Sequence, residues 1–448
     1  MLSIEDSKAA AERLVEKARK AGADAADVLY GHSHSADVQV RLGELDHVER
    51  SENEEIGLRV FLGSRSASVA SSDLSKDALD ELVARALAMA AEAPEDPFAA
   101  LAPSDLLASP PFPDLDSVDP SELDPGELRS RALEAEAAAL AVKGVTNSSG
   151  ASASTSGSTV ALATSGGFSG AYSATGFGCS ASVVAGEGGS MQRDHASHSA
   201  HHLSDMDSPA EIGRLAGERA VARLNPAKAR SGRMPVLFEP RVATTLLGHL
   251  AGAISGSAVA RKSSFLQDKL GQAVFAKGVS IIDDPLRRRG FRSRPFDGEG
   301  AAVAKREIIA DGVLTTWMAE TASALQLGIL PTGHASRSVG GAPGVSPANF
   351  FIAAGKRSRE ELLAAFPEAL LVTELIGHGV NPVTGDYSRG AAGFLVRNGE
   401  IGAAVQEITV AANLIDMFAT LEPGSDLEFR RGIDAPTILI PEMTVGTA

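Results

Sequence analysis

An α+β fold is predicted from three observations. Two amphipathic helical patterns bracket short alternating runs in the first ninety residues, a proline-rich connector follows, and the chain beyond Asn225 is dense in short strands punctuated by glycine. The N-terminal part reads as helices on a sheet, and the C-terminal part as a mainly antiparallel barrel or sandwich.

The elements are taken in chain order. From Asp6 to Ala21, residues Ala11, Leu14, Val15, Ala18 and Ala21 share a helical face, and Gly22 stands where a left-handed residue ends a helix. Strands are expected at Ala36–Leu42, Glu55–Leu62 and Arg65–Ala70, the last two as a hairpin through Gly63-Ser64. A second helix from about Ser75 places Leu79, Leu82, Val83, Ala86, Leu87 and Ala90 on one side. Between Pro94 and Pro125 lie eight of the 22 prolines, so an extended connector is expected.

Asp124-Pro125 reads as an N-cap with proline at the first helical position, opening a helix to about Lys143. The Ser/Thr/Gly/Ala-rich stretch Val145–Ser190 is either a flexible linker or antiparallel hairpins, and its polar–apolar alternation favours hairpins. Ser208-Pro209-Ala210-Glu211 predicts a capping box and a helix. Beyond Asn225 come a strand at Met234–Phe238, a helix from about Pro240, and strands at Gly278–Ile282, Val303–Ala310, Val313–Met318, Phe350–Ala353, Phe394–Arg397 and Val405–Val410. Asp311-Gly312 and Asn398-Gly399 mark hairpin turns. The expected division is 1–93, a connector 94–124, a helix-and-hairpin region 125–225, and a mainly β region 226–448.

Composition narrows the function. The 448 residues carry 41 Lys+Arg against 57 Asp+Glu, a formal charge of −16, with 44% hydrophobic and 22% charged residues. That is a globular composition, sized for two or three domains. The acidic pI of about 5.1 and 4% aromatics argue against a direct nucleic-acid partner. No apolar run approaches a bilayer span, and Met1–Asp6 lacks the basic start of a secretory signal, so a cytoplasmic protein without a membrane partner is expected. The single Cys179 excludes an intrachain disulfide and a Cys-rich metal site, and points to a reducing compartment.

Several segments carry possible chemistry. His195, His198, His201 and His202 fall within eight positions. In a strand His195 and His201 share one face and His198 and His202 the other; such imidazoles either bind zinc or lie on a solvated surface. Asp283-Asp284 and Asp297-Gly298-Glu299 sit near Arg287, Arg288, Arg289, Arg292 and Arg294, which reads as salt-bridged turns in preference to a divalent-cation site. His249 is alone on an apolar helix and reads as a packing residue, as do Trp317 and Met318. Gly385–Gly393 is expected to be a polar loop able to grip a peptide backbone or an anionic terminus. P-loop, GxGxxG and GxSxG patterns are absent from it.

Gly57-Leu58-Arg59-Val60-Phe61 with Ser71–Ser75, Pro94-Glu95-Asp96-Pro97-Phe98, Asp283-Asp284-Pro285 and Phe296-Asp297-Gly298-Glu299-Gly300 together resemble the TldD/PmbA (TldE) family, and Thr373–Gly390 is similar to its PmbA branch. The resemblance spans nearly the whole chain. It implies an N-terminal α/β sandwich region followed by a β-barrel-like C-terminal domain, in a cytoplasmic metallopeptidase assembly that cleaves unfolded peptides. In the TldD branch, zinc is held by a helix bearing H-E-x-x-x-H and a later cysteine. Here Gly248 and Ala253 stand at the two histidine positions, His249 replaces the glutamate, and no cysteine follows Cys179. The resemblance therefore implies a subunit with no cofactor of its own, paired with a zinc-bearing TldD-like partner or with itself. Asn381, Asp386, Ser388 and Arg389 are its candidates for peptide binding or for lining the chamber. The rival readings are an independent hydrolase using the His195–His202 cluster and a non-enzymatic, gyrase-interacting regulator.

Overall fold

The computed structural model describes residues 2–447. Helix α1 (Ile4–Lys20) begins where the Ser3 hydroxyl accepts the Asp6 amide, buries Ala11, Leu14, Val15 and Ala18, and is followed by Gly22 at φ +111°. β1 (Ala25–Arg41) and β2 (Glu44–Leu62) form a long antiparallel ribbon turned by Leu42 and Gly43, and β3 (Arg65–Ser71) completes the expected hairpin through Gly63. Two expectations need correction. Ala36–Leu42 is not a separate strand but the far half of β1, and β2 begins at Glu44 rather than Glu55. Residues 44–53 are exposed on both faces, so they carry no apolar alternation to read.

α2 (Lys76–Glu92) is capped by Ser75 and packs with α1 over Val28, Tyr30, Ile56, Leu58 and Val60. Residues 94–124 hold one short 3-10 turn, Ser104–Leu106. α3 (Pro125–Leu140) opens with a reciprocal Asp124–Glu127 capping box and ends before the expected Lys143. The Ser/Gly-rich stretch forms strands β4 (Val145–Thr164) and β5 (Ser169–Ala185), followed by β6 (Gln192–Ala200). At α4 (Pro209–Ala222) the Ser208 hydroxyl accepts the Glu211 amide, but only this half of the expected box forms.

Strands from both sides of the connector make one six-stranded sheet, ordered β3-β2-β1-β4-β5-β6. Even-numbered residues toward both ends of β1 touch the helices: Val28 and Tyr30 meet α1 and α2, while Val38 and Val40 meet α3 and α4. All four helices thus cover one face. A small residue is required where α3 and α4 touch, because a Cβ on Gly213 of α4 would lie 1.9 Å from the Ala135 carbonyl oxygen of α3. The opposite face, through Leu29 and Leu162, packs on Phe296 of the C-terminal part.

That part begins with β7 (Gly232–Phe238), α5 (Pro240–Ala253) and α6 (Gly256–Ala260). Next come β8 (Ile281–Asp283), β9 (Arg306–Ala310), β10 (Val313–Leu314), α7 (Thr321–Leu327), β11 (Ala335–Ser336), β12 (Gly344–Val345), β13 (Phe350–Ile352) and α8 (Arg359–Leu363). It ends with β14 (Glu368–Ile376), β15 (Asp386–Arg397), β16 (Glu400–Asn413), α9 (Leu414–Thr420), β17 (Glu422–Pro423), β18 (Ile433–Asp434) and β19 (Ile438–Thr447). β16, β15, β14, β7 and β19 close into a five-stranded barrel through the β16–β19 pairing. β14–β7 is its one parallel contact, so the antiparallel expectation holds for the other four.

Val236, Phe238, Leu370 and Val372 share a core with Leu246, Leu247 and Leu250 of α5, whereas Leu237 and Leu371 pack with Leu362 of α8. The period of two thus sorts each strand between α5 and α8. The turns at Asp311-Gly312 and Asn398-Gly399 have the positive φ angles a two-residue hairpin needs. Val313–Met318 is strand only to Leu314; Trp317 and Met318 are buried as expected. Among the described residues no helix is long and apolar enough to cross a membrane.

Candidate functional site

The apolar side of α5 is buried in the barrel core, and its other side is bare: Gly248 and Gly252 are exposed, with open space where a Cβ would stand. His249 lies next to this gap, edge-on to Tyr387 with ring centroids 6.0 Å apart. Tyr387 and Arg389 are two residues apart on β15 and so project to the same side. Three buried polar atoms here, His249 Nε2, Tyr387 Oη and Arg389 Nε, have no hydrogen-bond partner among the described residues. Leaving such a group unpaired costs about 1–3 kcal/mol, which singles out this contact as a candidate site. Burial pushes the His249 imidazole down, aided by Arg389, and pushes the Tyr387 phenol up to about 12 against the opposing Arg389 charge. At neutral pH the site offers a neutral imidazole, a phenol donor and a guanidinium.

The four sequence-derived candidates separate. Asn381 Oδ1 accepts from the amides of Val383 (2.9 Å) and Thr384 (3.3 Å), and Asp386 accepts from the Thr384 hydroxyl (2.7 Å) and Asn413 Nδ2 (3.2 Å). Both side chains are occupied in holding the loop before β15. Ser388 is exposed on the strand face opposite Arg389, and Arg389 alone joins the α5 contact. The expected Gly385–Gly393 loop is already strand from Asp386. Tyr387 lies within Thr373–Gly390 but escapes a reading of the sequence, because its pairing with His249 spans the fold.

The four clustered histidines diverge. His195 is exposed; His198 Nδ1 accepts from the Asp207 amide (3.0 Å); His201 Nδ1 meets the Thr175 carbonyl (2.5 Å); and His202 Nε2 meets the Asp116 carbonyl (2.9 Å). His202 lies between Asp116 (3.4 Å) and Asp119 (3.7 Å), but among the described residues no three His, Cys, Asp or Glu side chains are placed to hold a metal ion. Asp283 accepts the Ala348 amide at 2.7 Å, and Asp297 accepts those of Glu299, Ala301 and Ala335, so these carboxylates hold turns.

A buried ionic seam joins the two halves. Asp27, 1% exposed, accepts from Arg59 and from Arg337 Nη1 (2.6 Å), and Arg59 lies 3.7 Å from Glu299. Glu299 also accepts from the Thr321 amide (2.8 Å) and hydroxyl (2.7 Å). Burial lifts the Glu299 carboxyl to about 6, with Arg59 opposing. The folded protein therefore holds that proton more tightly than the unfolded chain. This group's contribution is greatest below the ordinary glutamate value and is lost as pH rises toward 6, about 2 kcal/mol in all. Urea unfolding at pH 5 and pH 7 should show Glu299→Gln flattening that slope; an unaltered slope would assign it elsewhere.

With this architecture in view, comparison with known proteins is direct. Models of PmbA/TldA metallopeptidase domain 1, central domain and C-terminal domain match residues 26–90, 118–224 and 231–447. The chain is 40% identical over 424 residues to Metalloprotease PmbA of Escherichia coli O157:H7, covering 94% of this chain and 92% of that one. It is 36% identical over 434 residues to the Metalloprotease PmbA homolog of Haemophilus influenzae, covering 96% and 94%. A Bacteroides thetaiotaomicron crystal structure, described as a candidate modulator of DNA gyrase, superposes with a TM-score of 0.91 at 26% identity and full coverage of both chains. TldE of Thermococcus kodakarensis shares the fold, with a TM-score of 0.85 at 19% identity over 98% of this chain and 100% of that one. These likenesses define the class as metallopeptidase-like. The chain belongs to the PmbA/TldD family.

The family's metalloprotease name implies a metal, and the residues here do not fit one at α5. Gly248 has no side chain, Ala253 has no donor atom, and His249 supplies a single nitrogen where a zinc site needs three protein ligands.

Proposed function

We propose that this chain is the PmbA/TldE-like subunit of a TldD/TldE-type cytoplasmic metallopeptidase, shaping the chamber and holding unfolded peptide while a zinc-bearing TldD-like subunit breaks the bond. The observation that carries this reading is the α5–β15 contact, where a helix with no ligand set brings His249 against Tyr387 and Arg389 of β15, and each of the three keeps a buried polar atom without a hydrogen-bond partner among the described residues. An extended peptide has free carbonyl oxygens, to which the Arg389 guanidinium and the Tyr387 phenol can donate. The exposed glycines of α5 leave room for its backbone. Asn381 and Asp386 keep the adjoining loop in shape, and Ser388 offers a hydroxyl on the outer face.

Reconstitution tests it. Mixed with a TldD-like subunit, the chain should form a complex that cleaves an unstructured peptide and stops when a chelator is added, while the chain alone stays inactive. Chelator-sensitive cleavage by the isolated chain, or a partner whose activity is indifferent to it, would overturn the assignment. A sedimentation measurement on the same mixture separates pairing with the partner from self-association.

A further inference from the structure

A cavity of about 230 Å³ lies between the helix-free face of the six-stranded sheet and the C-terminal loops. Leu29, Val160 and Leu162 wall it from the sheet, Phe296 and Val339 from the loops, and Arg294 and Arg337 also line it. The Arg337 side chain is 3% exposed, and its Nη1 donates to Asp27 at 2.6 Å. Its Nε and Nη2 have no partner among the described residues, nor has Arg294 Nε. Nε and Nη2 form the edge of a guanidinium that takes both oxygens of one carboxylate. The one acid in the wall, Asp297, spends both oxygens on backbone amides of Glu299, Ala301 and Ala335, so it does not satisfy that edge.

We infer that this cavity binds a carboxylate carried next to an apolar side chain, with the Nε/Nη2 edge of Arg337 gripping the carboxylate, Arg294 assisting, and the apolar walls receiving the side chain. Two sources share that chemistry: the C-terminal residue of a polypeptide and a free small acid. The volume suits one apolar residue with its terminal carboxylate, not a folded partner. The inference is independent of the peptidase assignment and concerns the isolated chain.

Calorimetric titration of the full-length protein with N-acetyl-leucine, and with a Gly/Ser peptide ending in leucine, tests it against the C-terminal amides of both. The free acids should bind at least about tenfold more tightly than the amides, the loss expected when a charge-assisted bidentate pair is removed. Tighter binding of the free-acid peptide than of N-acetyl-leucine identifies a polypeptide end; equal binding identifies a small acid. Arg294→Gln should weaken binding, and Val160→Phe should abolish it by filling the cavity. Free acid and amide binding equally, no binding of any probe at millimolar concentration, or wild-type affinity in a folded Val160→Phe or Arg294→Gln variant would overturn it.

Discussion

Asp27→Ala should lower the unfolding free energy by about 3–5 kcal/mol, measured by urea denaturation, because it strands two buried guanidinia without their shared counter-charge. Arg59 and Arg337 both donate to this carboxylate, and their side chains are only 10% and 3% exposed. The exposed Arg214–Glu218 pair is the contrast: solvent screens it, and breaking it should cost far less. Burial alone would raise the Asp27 carboxyl, but Arg59 and Arg337 outweigh it and hold the group below the ordinary aspartate value. With a depressed folded value, the stabilisation is complete above the unfolded pKa and disappears as pH falls through the folded one. Asp27→Ala should therefore also flatten the acid limb of the stability profile. A variant within 1 kcal/mol of wild type would mean that water, not Asp27, compensates the two arginines.

Arg389→Ala should reduce kcat/KM of the reconstituted pair by about 10- to 100-fold, the range expected from one lost hydrogen bond to a charged donor. Folding should suffer little, since Arg389 Nε has no partner among the described residues to lose. Arg389→Lys keeps the charge but not the planar fork, so it should recover part of the activity if the charge matters and none if the geometry does. Unchanged kcat/KM in Arg389→Ala, with the complex still assembled, would remove this residue from the peptide path. Assembly is checked on the same samples by gel filtration, so a loss of pairing is not mistaken for a loss of capture.

What was legible in the sequence was local. The Asp124 and Ser208 caps and the Asp311-Gly312 and Asn398-Gly399 turns depend on neighbours within a few residues, and each stands where its chemistry puts it. The distal half of β2 was hidden because a ribbon solvated on both faces has no apolar period. Barrel closure was hidden for another reason: Ile408 pairs with Thr447, and nothing in either run specifies the partner. The candidate site divides the same way. Gly248, His249 and Ala253 align with a zinc-binding pattern, and Arg389 lies in the polar stretch Gly385–Gly393. The meeting of His249 with Tyr387 is a product of the fold. Asp27 and Arg337 carried no local sign, since their role arises only when the sheet docks on the loops.

The central place of β1 bears on how the protein is made. Asp27 pairs with Arg59 on one side and with Thr164 on the other, so half of this strand's ladder is missing until the ribosome has moved well past the connector. At about 5–20 residues per second, the nascent N-terminus waits roughly 7–30 s with an open edge that another chain can invade. That interval leaves one edge of β1 open to chaperones and to aggregation while the connector and β4 are being synthesised.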